Sequence, residues 1–232
     1  MPPNQTRIRN VKYELMKGRE ASDAIQEFPV GYLPVGCLER HGDHLPMGLD
    51  AIKAHLVCIQ VAQSAGGIVY PPHHYAGIHK FSANKTSKFT GEWGNIYTDT
   101  TAKNNLLEII SQIGITGIEV LVLYSGHYPI CQGQMIDDIA EEINFRLSVR
   151  VIPFYESMLF GGDHAGVSET SLMLYLDKNL VNMNQISQKN FDDHGWNKKN
   201  SPEEASPEKG AQYLHQIIEY LKRKIDTALK QR

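Results

Sequence analysis

Between residues 36 and 50 the chain reads GCLERHGDHLPMGLD, its densest stretch of groups able to bind a metal or move a proton. Glu39 and His41 stand two residues apart, and in extended chain such side chains project to the same side. Gly42, Pro46 and Gly48 then permit a tight reversal that brings Asp50 back alongside them. A carboxylate, an imidazole and a second carboxylate converging in this way are donor types that zinc or manganese accept. Each residue taken singly has an ordinary reading as well. Asp50 precedes a helical pattern, where Asp most often serves as N-cap. His41 and His44 alone read as loop histidines, and Glu39 alone as a solvated carboxylate.

Two later stretches add donors of the same kind. EVLVLYS runs into Gly126-His127-Tyr128, and VRVIPFY is followed by GGDHAGVSETSLMLYL, which carries His164 and Glu169. A first-turn Glu is also favoured by the helix dipole, which is the structural alternative for Glu169. Counted together, Glu39, His41, Asp50, His127 and Glu169 are five donors. One bridging carboxylate then suffices for two ions with three protein ligands each.

Elements able to position these groups are legible in the apolar pattern. Short runs rich in Val, Ile and Tyr predict strands over 30–37, 67–71, 119–125 and 149–155. Three- and four-residue apolar steps predict helices over 51–65, 98–113, 133–147, 167–178 and 208–229. The stripe of the last helix, Leu214, Ile217, Ile218, Leu221, Ile225 and Leu229, reads as core packing. Strands alternating with helices point to an α/β fold with a mostly parallel sheet, in which ligands collect at the carboxyl ends of the strands. All three donor-bearing stretches follow strands directly. The polar segment 187–206 reads as a surface excursion too short to divide two domains, so one domain over 1–232 is expected.

Composition narrows the function class. The 232 residues carry 23 Lys and Arg against 26 Asp and Glu, a formal charge of −3, so no broad basic field exists to attract nucleic acid. Cys37, Cys58 and Cys131 are scattered without CxxC spacing, which argues against a disulfide framework and for a reducing compartment. No apolar run matches a signal peptide or a membrane span. A soluble, cytoplasmic protein is the expectation.

The motifs together resemble those of the creatininase (creatinine amidohydrolase) family. LPVGCLERHGDHLPMGLD is similar to the family's Gly-x-x-Glu-Gln-His-Gly-x-His-Leu-Pro followed by Asp. YSGHY resembles its second motif and HAGVSETSLML its third, His-Ala-Gly-x-x-Glu-Thr-Ser. SPEEASPEKGAQYL is similar to the segment leading into the family's last helix. The motifs occur in family order from about residue 30 to 229. The resemblance implies a three-layer sandwich with helices on both sides of the sheet, and a homo-oligomer, often a hexamer, whose neighbouring subunits narrow the site.

It also implies a binuclear centre holding zinc, manganese or both, with iron possible. Glu39, Asp50 and His127 match the positions of one ion; His41, the bridging Asp50 and a further carboxylate those of the other. In creatininase that last carboxylate lies two residues after the second-motif His, where this chain has Pro129; Glu169 is the ligand in many other members and the candidate here. His164 matches the family's acid/base histidine. The chain departs from the family at Arg40, where Gln is usual, and at Ile130, where the second motif ends in Asn. Creatininase carries tryptophans just before its third motif, whereas this chain reads Phe160-Gly161-Gly162-Asp163; Trp93 and Trp196 lie elsewhere. Tyr128 beside His127, and Thr90 and Trp93 in FTGEWGN, are the expected substrate contacts. Hydrolysis of a cyclic or linear amide is the leading expectation. Hydrolytic ring opening of a cyclic polyol ketone, with Arg40, His73, His74, His79 and Lys80 as polar pocket groups, is the alternative. A non-catalytic metal-binding relative is a third.

Overall fold

The computed structural model describes residues 10–81, 85, 87–186 and 200–231. Its sheet has four parallel strands, β1 (Val30–Val35), β2 (Ile68–Val69), β3 (Val120–Ser125) and β4 (Arg150–Tyr155), in the order β2-β1-β3-β4. Val35 lies opposite Ser125 and Ser125 opposite Tyr155, so the carboxyl ends of β1, β3 and β4 are level. Seven α-helices accompany them among the described residues: α1 (Gly18–Glu27), α2 (Leu49–Ala65), α3 (Thr100–Ile115), α4 (Ile130–Arg146), α5 (Ser157–Phe160), α6 (Val167–Leu176) and α7 (Pro207–Lys230).

Every residue of β1 and β3 is buried, as expected of parallel strands covered on both faces. Alternate side chains enter two separate cores. Leu33, Val35, Leu121 and Leu123 pack with α1, α3 and α4 on one face. Tyr32, Val122, Tyr124 and Phe154 pack with α2, α6 and α7 on the other. The molecule is therefore the α/β/α sandwich that the motifs implied. Leu214, Ile217, Leu221 and Ile225 of α7 are buried in the second core, which accounts for the apolar stripe of that helix.

The expected elements all occur, with boundaries moved by a few residues. Each strand is shorter than its apolar run, because the residues beyond the ladder already turn into loops. The amphipathic α1 was not foreseen; it is short and mostly polar, burying Ala21, Ala24 and Ile25. One difference bears on the site. Helix α2 begins at Leu49 with Gly48 as N-cap, so Asp50 is not the cap but lies inside the first turn, buried. The segment 187–199, with Trp196, lies outside the described residues.

Strand order locates the crevice. From β1 the chain crosses to β2 on one side, then returns past β1 to β3 on the other, so connections diverge between β1 and β3. Such a switch point leaves a crevice at the carboxyl ends of the two strands. The first turn of α2 is wedged there between two glycines. A Cβ at Gly36 would collide with the Cβ of Asp50, and one at Gly126 with the carbonyl oxygen of Asp50. Glycine at both strand ends thus lets Asp50 reach the crevice.

Candidate metal centre and active site

Three loops deliver the donors to this crevice. Glu39 and His41 follow β1, with Asp50 on α2; His127 lies two residues beyond β3; His164 and Glu169 come from the loop after β4 and the first turn of α6. Potential ligand atoms of Cys37, Glu39, Asp50 and His127 all lie within 4.8 Å of one another, as do those of Glu39, His41 and His164, and those of His41, Asp50 and Glu169. The five donors expected from the sequence therefore share one centre. All five are buried, His41 completely.

The two innermost histidines are oriented alike. His41 Nδ1 sits 3.0 Å from the carbonyl oxygen of Glu39, and His127 Nε2 sits 3.0 Å from that of Ile78. A backbone acceptor takes the N–H at each of these atoms and aims the other ring nitrogen at the carboxylates. His41 Nε2 points to Asp50 Oδ1 at 3.1 Å and Glu169 Oε2 at 3.8 Å, yet makes no hydrogen bond. His127 Nδ1 faces Glu39 Oε1 at 2.9 Å and Asp50 Oδ2 at 3.4 Å. Metal-ligating histidines are held in this way, one nitrogen anchored to a carbonyl and the other presented to the ion. With an orphaned buried nitrogen and three carboxylates around it, the residues fit a divalent cation.

Electrostatics agree with that fit. Burial opposes charge on Asp50, but His41 and His127 hold its carboxyl well below the usual range. Burial likewise opposes charge on Glu39, and His127 and His164 bring it down to about 2. Burial lowers and the carboxylates raise His41, with Asp50 foremost; its pKa ends at about 9. The site is a nest of buried charges that stabilise one another, and divalent cations would neutralise its carboxylates.

Around this centre lies a cavity of about 260 Å³ whose walls include His79, Phe81, Phe89, Trp93, Tyr97, Tyr128, Asp163 and His164. His79 stacks on Phe81 at 3.7 Å, Phe81 on Phe89 at 4.6 Å, and Phe89 meets Trp93 at 4.5 Å, forming an aromatic wall. Tyr97 donates to Glu39 Oε2 at 2.6 Å, buttressing that carboxylate from the same wall. His164 stacks on His41 with ring centres 4.3 Å apart, its Nε2 2.8 Å from the carbonyl oxygen of Arg40 and its Nδ1 3.6 Å from Glu39 Oε1.

A family model described as creatinine amidohydrolase matches residues 14–225. The chain belongs to the creatininase family. A creatinine amidohydrolase of Pseudomonas putida is 29% identical over 177 residues, 66% of either chain, so just under two thirds of that relative's length is matched. A crystal structure of creatinine amidohydrolase superposes with a TM-score of 0.76 at 23% identity, covering 94% of this chain and 98% of the other. A manganese creatininase (TM-score 0.74, 24% identity, 94% and 98% covered) and a zinc–zinc creatininase variant (0.73, 23%, 94% and 97%) have the same fold. Manganese and zinc belong to those two proteins by name; in this chain the Glu, His and Asp cluster has the donor types and spacing that could hold a metal ion.

Other expected site residues divide. Tyr128 lines the cavity, donating to Glu169 Oε1 at 2.9 Å and to the Asp163 carbonyl at 2.6 Å. Trp93 lines it as well, with the Arg40 guanidinium 5.3 Å from its ring centre. Thr90 is exposed on a turn of π-helix, Lys88–Glu92, and is not among the lining residues. Of the polar groups suggested for a hydroxyl-rich substrate, His79 lines this cavity; His73 lines another, of about 530 Å³ beside Tyr13 and Tyr70, which contains none of the metal donors.

Sequence reading missed Lys53, Glu156 and Cys37. Lys53 is fully buried, its Nζ 2.5 Å from Glu169 Oε1 and 2.7 Å from Glu156 Oε2. Glu156 also accepts the Tyr124 hydroxyl at 2.5 Å. Cys37 Sγ donates to Asp50 Oδ2 at 3.2 Å. Signals existed for all three. Lys53 is the lone charge after Asp50 in the apolar run AIKAHLVCIQVA, Glu156 directly follows β4, and Cys37 continues the two-residue spacing of Glu39 and His41.

Proposed function

We propose that this protein is a binuclear metal-dependent hydrolase that cleaves the C–N bond of a small cyclic or linear amide. The observation carrying this reading is the placement of Asp50. Its Oδ1 faces the open nitrogen of His41 and its Oδ2 that of His127, so one carboxylate lies between two half-sites. Glu39, Asp50 and His127 would hold one ion, and His41, Asp50 and Glu169 the other. Bound divalent ions at such a site lower the pKa of water and polarise a carbonyl oxygen.

The chain's own groups account for the rest of the reaction. Water adds its oxygen to the carbonyl carbon, the C–N bond breaks, and a proton must reach the leaving nitrogen. His164 is the group assigned to that delivery, because it lines the cavity beside Glu39 and is partly exposed. The anchoring carbonyl of Arg40 fixes its ring. Glu169, positioned by Tyr128 and by the Ala165 N–H at 2.7 Å, completes the catalytic pair. A volume of about 260 Å³ suits a small molecule, and the wall of Phe81, Phe89 and Trp93 offers a flat face to an unsaturated amide ring.

Creatinine itself is not the favoured substrate. Phe160, at the place just before the third motif, packs on Tyr213 at 4.6 Å, against the core and not over the cavity. The aromatic wall here comes instead from residues 79–97. A homo-oligomer is part of the proposal, supported by large apolar side chains left exposed on α4, Ile130 and Phe145. A cytoplasmic setting is supported by three unpaired cysteines and by the lack of any helix, among the described residues, long and apolar enough to cross a membrane.

Elemental analysis after reconstitution with excess zinc or manganese tests the reading, with Glu39→Gln and Glu169→Gln alongside. About two equivalents of metal in the parent, fewer in both variants, and turnover on a panel of cyclic amides are expected. A parent that retains no metal would overturn it.

A further inference from the structure

Cys37 stands among the donors with no part in the reaction described above. It lies two residues beyond β1, is fully buried, and precedes Glu39 by two, a spacing that in extended chain puts both side chains on one side. Its Sγ lies 3.2 Å from Asp50 Oδ2, the oxygen that His127 Nδ1 faces at 3.4 Å. His127 Nδ1 is in turn 2.9 Å from Glu39 Oε1, and ligand atoms of all four residues fall within 4.8 Å of one another. A tetrahedral zinc ion with bonds of about 2.0–2.3 Å keeps its donors roughly 3.3–3.8 Å apart, so a set this close can surround one ion with little movement. The backbone holds the sulfur there. A Cβ at Gly77 would come within 2.4 Å of Cys37 Cβ and 2.9 Å of its Sγ, so only bare backbone fits against this side chain. Gly36 donates its N–H to the His73 carbonyl at 3.0 Å and accepts the Ala76 N–H at 3.1 Å. The same segment supplies the Ile78 carbonyl that anchors His127, so residues 73–78 fix both the thiol and the imidazole beside Asp50 Oδ2.

A thiol is a weak hydrogen-bond donor, whereas a thiolate is among the preferred ligands of zinc. The other oxygen of Asp50 faces His41 Nε2, which is fully buried, makes no hydrogen bond and points into the same centre. The neighbours of Asp50 are thus arranged for cations on both of its sides. The two remaining cysteines have no such setting. Cys58 is buried in the second apolar core, Cys131 Sγ rests 3.7 Å from the Ile78 carbonyl, and neither joins a donor cluster among the described residues. Resting on the binuclear reading above, we infer that Cys37 is a further protein ligand, bound through its sulfur, to the ion that Glu39, Asp50 and His127 would hold. On metal binding the S–H bond breaks, the metal–sulfur bond forms, and the proton passes to solvent. The donors to that ion are then one sulfur, one imidazole nitrogen and two carboxylates, each a type that zinc accepts.

The test uses full-length protein, freed of metal by chelator and reloaded with Co²⁺ as an optical probe or with Zn²⁺ for X-ray absorption. The parent is expected to show a near-ultraviolet sulfur-to-cobalt charge-transfer band, and a zinc spectrum containing a sulfur neighbour at about 2.3 Å. Cys58→Ala/Cys131→Ser leaves Cys37 as the one thiol of the chain and keeps both signals. Cys37→Ser loses both while still taking up metal on its nitrogen and oxygen donors. If circular dichroism shows that Cys37→Ser does not fold, the parent and the double variant decide the matter between them. Metal bound through nitrogen and oxygen neighbours only, a cobalt–sulfur band that persists in Cys37→Ser, or one that disappears from the double variant would each overturn the inference and leave the hydrolase reading standing. Failure of the parent to bind either metal would overturn both.

Discussion

At the scale of single residues, the centre depends on groups that orient the donors as much as on the donors. Tyr97 fixes Glu39 through its 2.6 Å hydrogen bond, and outer partners of this kind commonly contribute 10–100-fold to metal affinity. Tyr97→Phe is accordingly expected to weaken the ion that Glu39 would hold by about tenfold or more while leaving the fold intact, as read by zinc titration and circular dichroism. His44 offers a separate test. It is buried, its Nε2 lies 3.0 Å from Thr170 Oγ1, and burial followed by His41 holds its pKa down at about 4. Unfolding returns the ring to its ordinary 6.5, so the unfolded chain binds the extra proton and stability is lost as pH falls from 6.5 towards 4. Comparing denaturant unfolding at pH 7 and pH 4.5, His44→Gln should lose about 2 kcal/mol less than the parent on acidification. Equal losses would show that His44 is not the group responsible.

At the scale of elements, the donors converge because α2 enters the crevice between β1 and β3. That entry requires the bare backbone of Gly126, where a Cβ would strike the carbonyl of Asp50. Gly126→Ala is expected to cost about 1–3 kcal/mol by overpacking and to weaken metal binding, since Asp50 is displaced. Ile217→Ala on α7 serves as the contrast. It empties a buried position remote from the crevice, so about 2–5 kcal/mol of stability is lost with metal affinity unchanged. Urea unfolding paired with zinc titration of both variants separates the two effects. Each strand and long helix was legible in the sequence from its apolar period, because burial on both faces of a parallel sheet writes itself as runs of Val, Ile, Leu and Tyr. Helix α1 was not foreseen although Ala21, Ala24 and Ile25 stand at helical spacing, because a short, mostly polar segment also reads as a loop. The N-terminus of α2 was misplaced for another reason: Asp before an apolar run normally caps a helix, and only packing against His41 and His127 turns Asp50 inward.

For the whole molecule, the proposed metal centre ties metal binding to folding. Glu39, Asp50 and Glu169 are buried together, and bound cations would neutralise a repulsion that the protein alone relieves through histidines, Lys53 and neutral donors. Ligand that binds only the folded state stabilises it by about 2.7 kcal/mol at a hundredfold excess over Kd, which for a chain of this size is a shift of about 5–10 °C. Scanning calorimetry with and without chelator should show the metal-loaded protein melting higher by that amount. Identical transitions would mean that the cluster binds no ion in the folded state.

Sequence alone determined the α/β class and the family, and it singled out the five residues proposed as ligands, since these rest on local patterns: apolar periodicity, strand ends, and short motifs whose spacing is chemical. Tertiary structure decided what those patterns leave open. Whether Asp50 caps the helix or turns inward between His41 and His127, and that Lys53 and Glu156 share the site, depend on contacts between residues up to 116 positions apart. So does the source of the aromatic wall, which comes from residues 79–97 and not from the place just before the third motif. Charge pairing in a buried site is set by distance in space, and a linear sequence records such distances only where the chain is extended or helical.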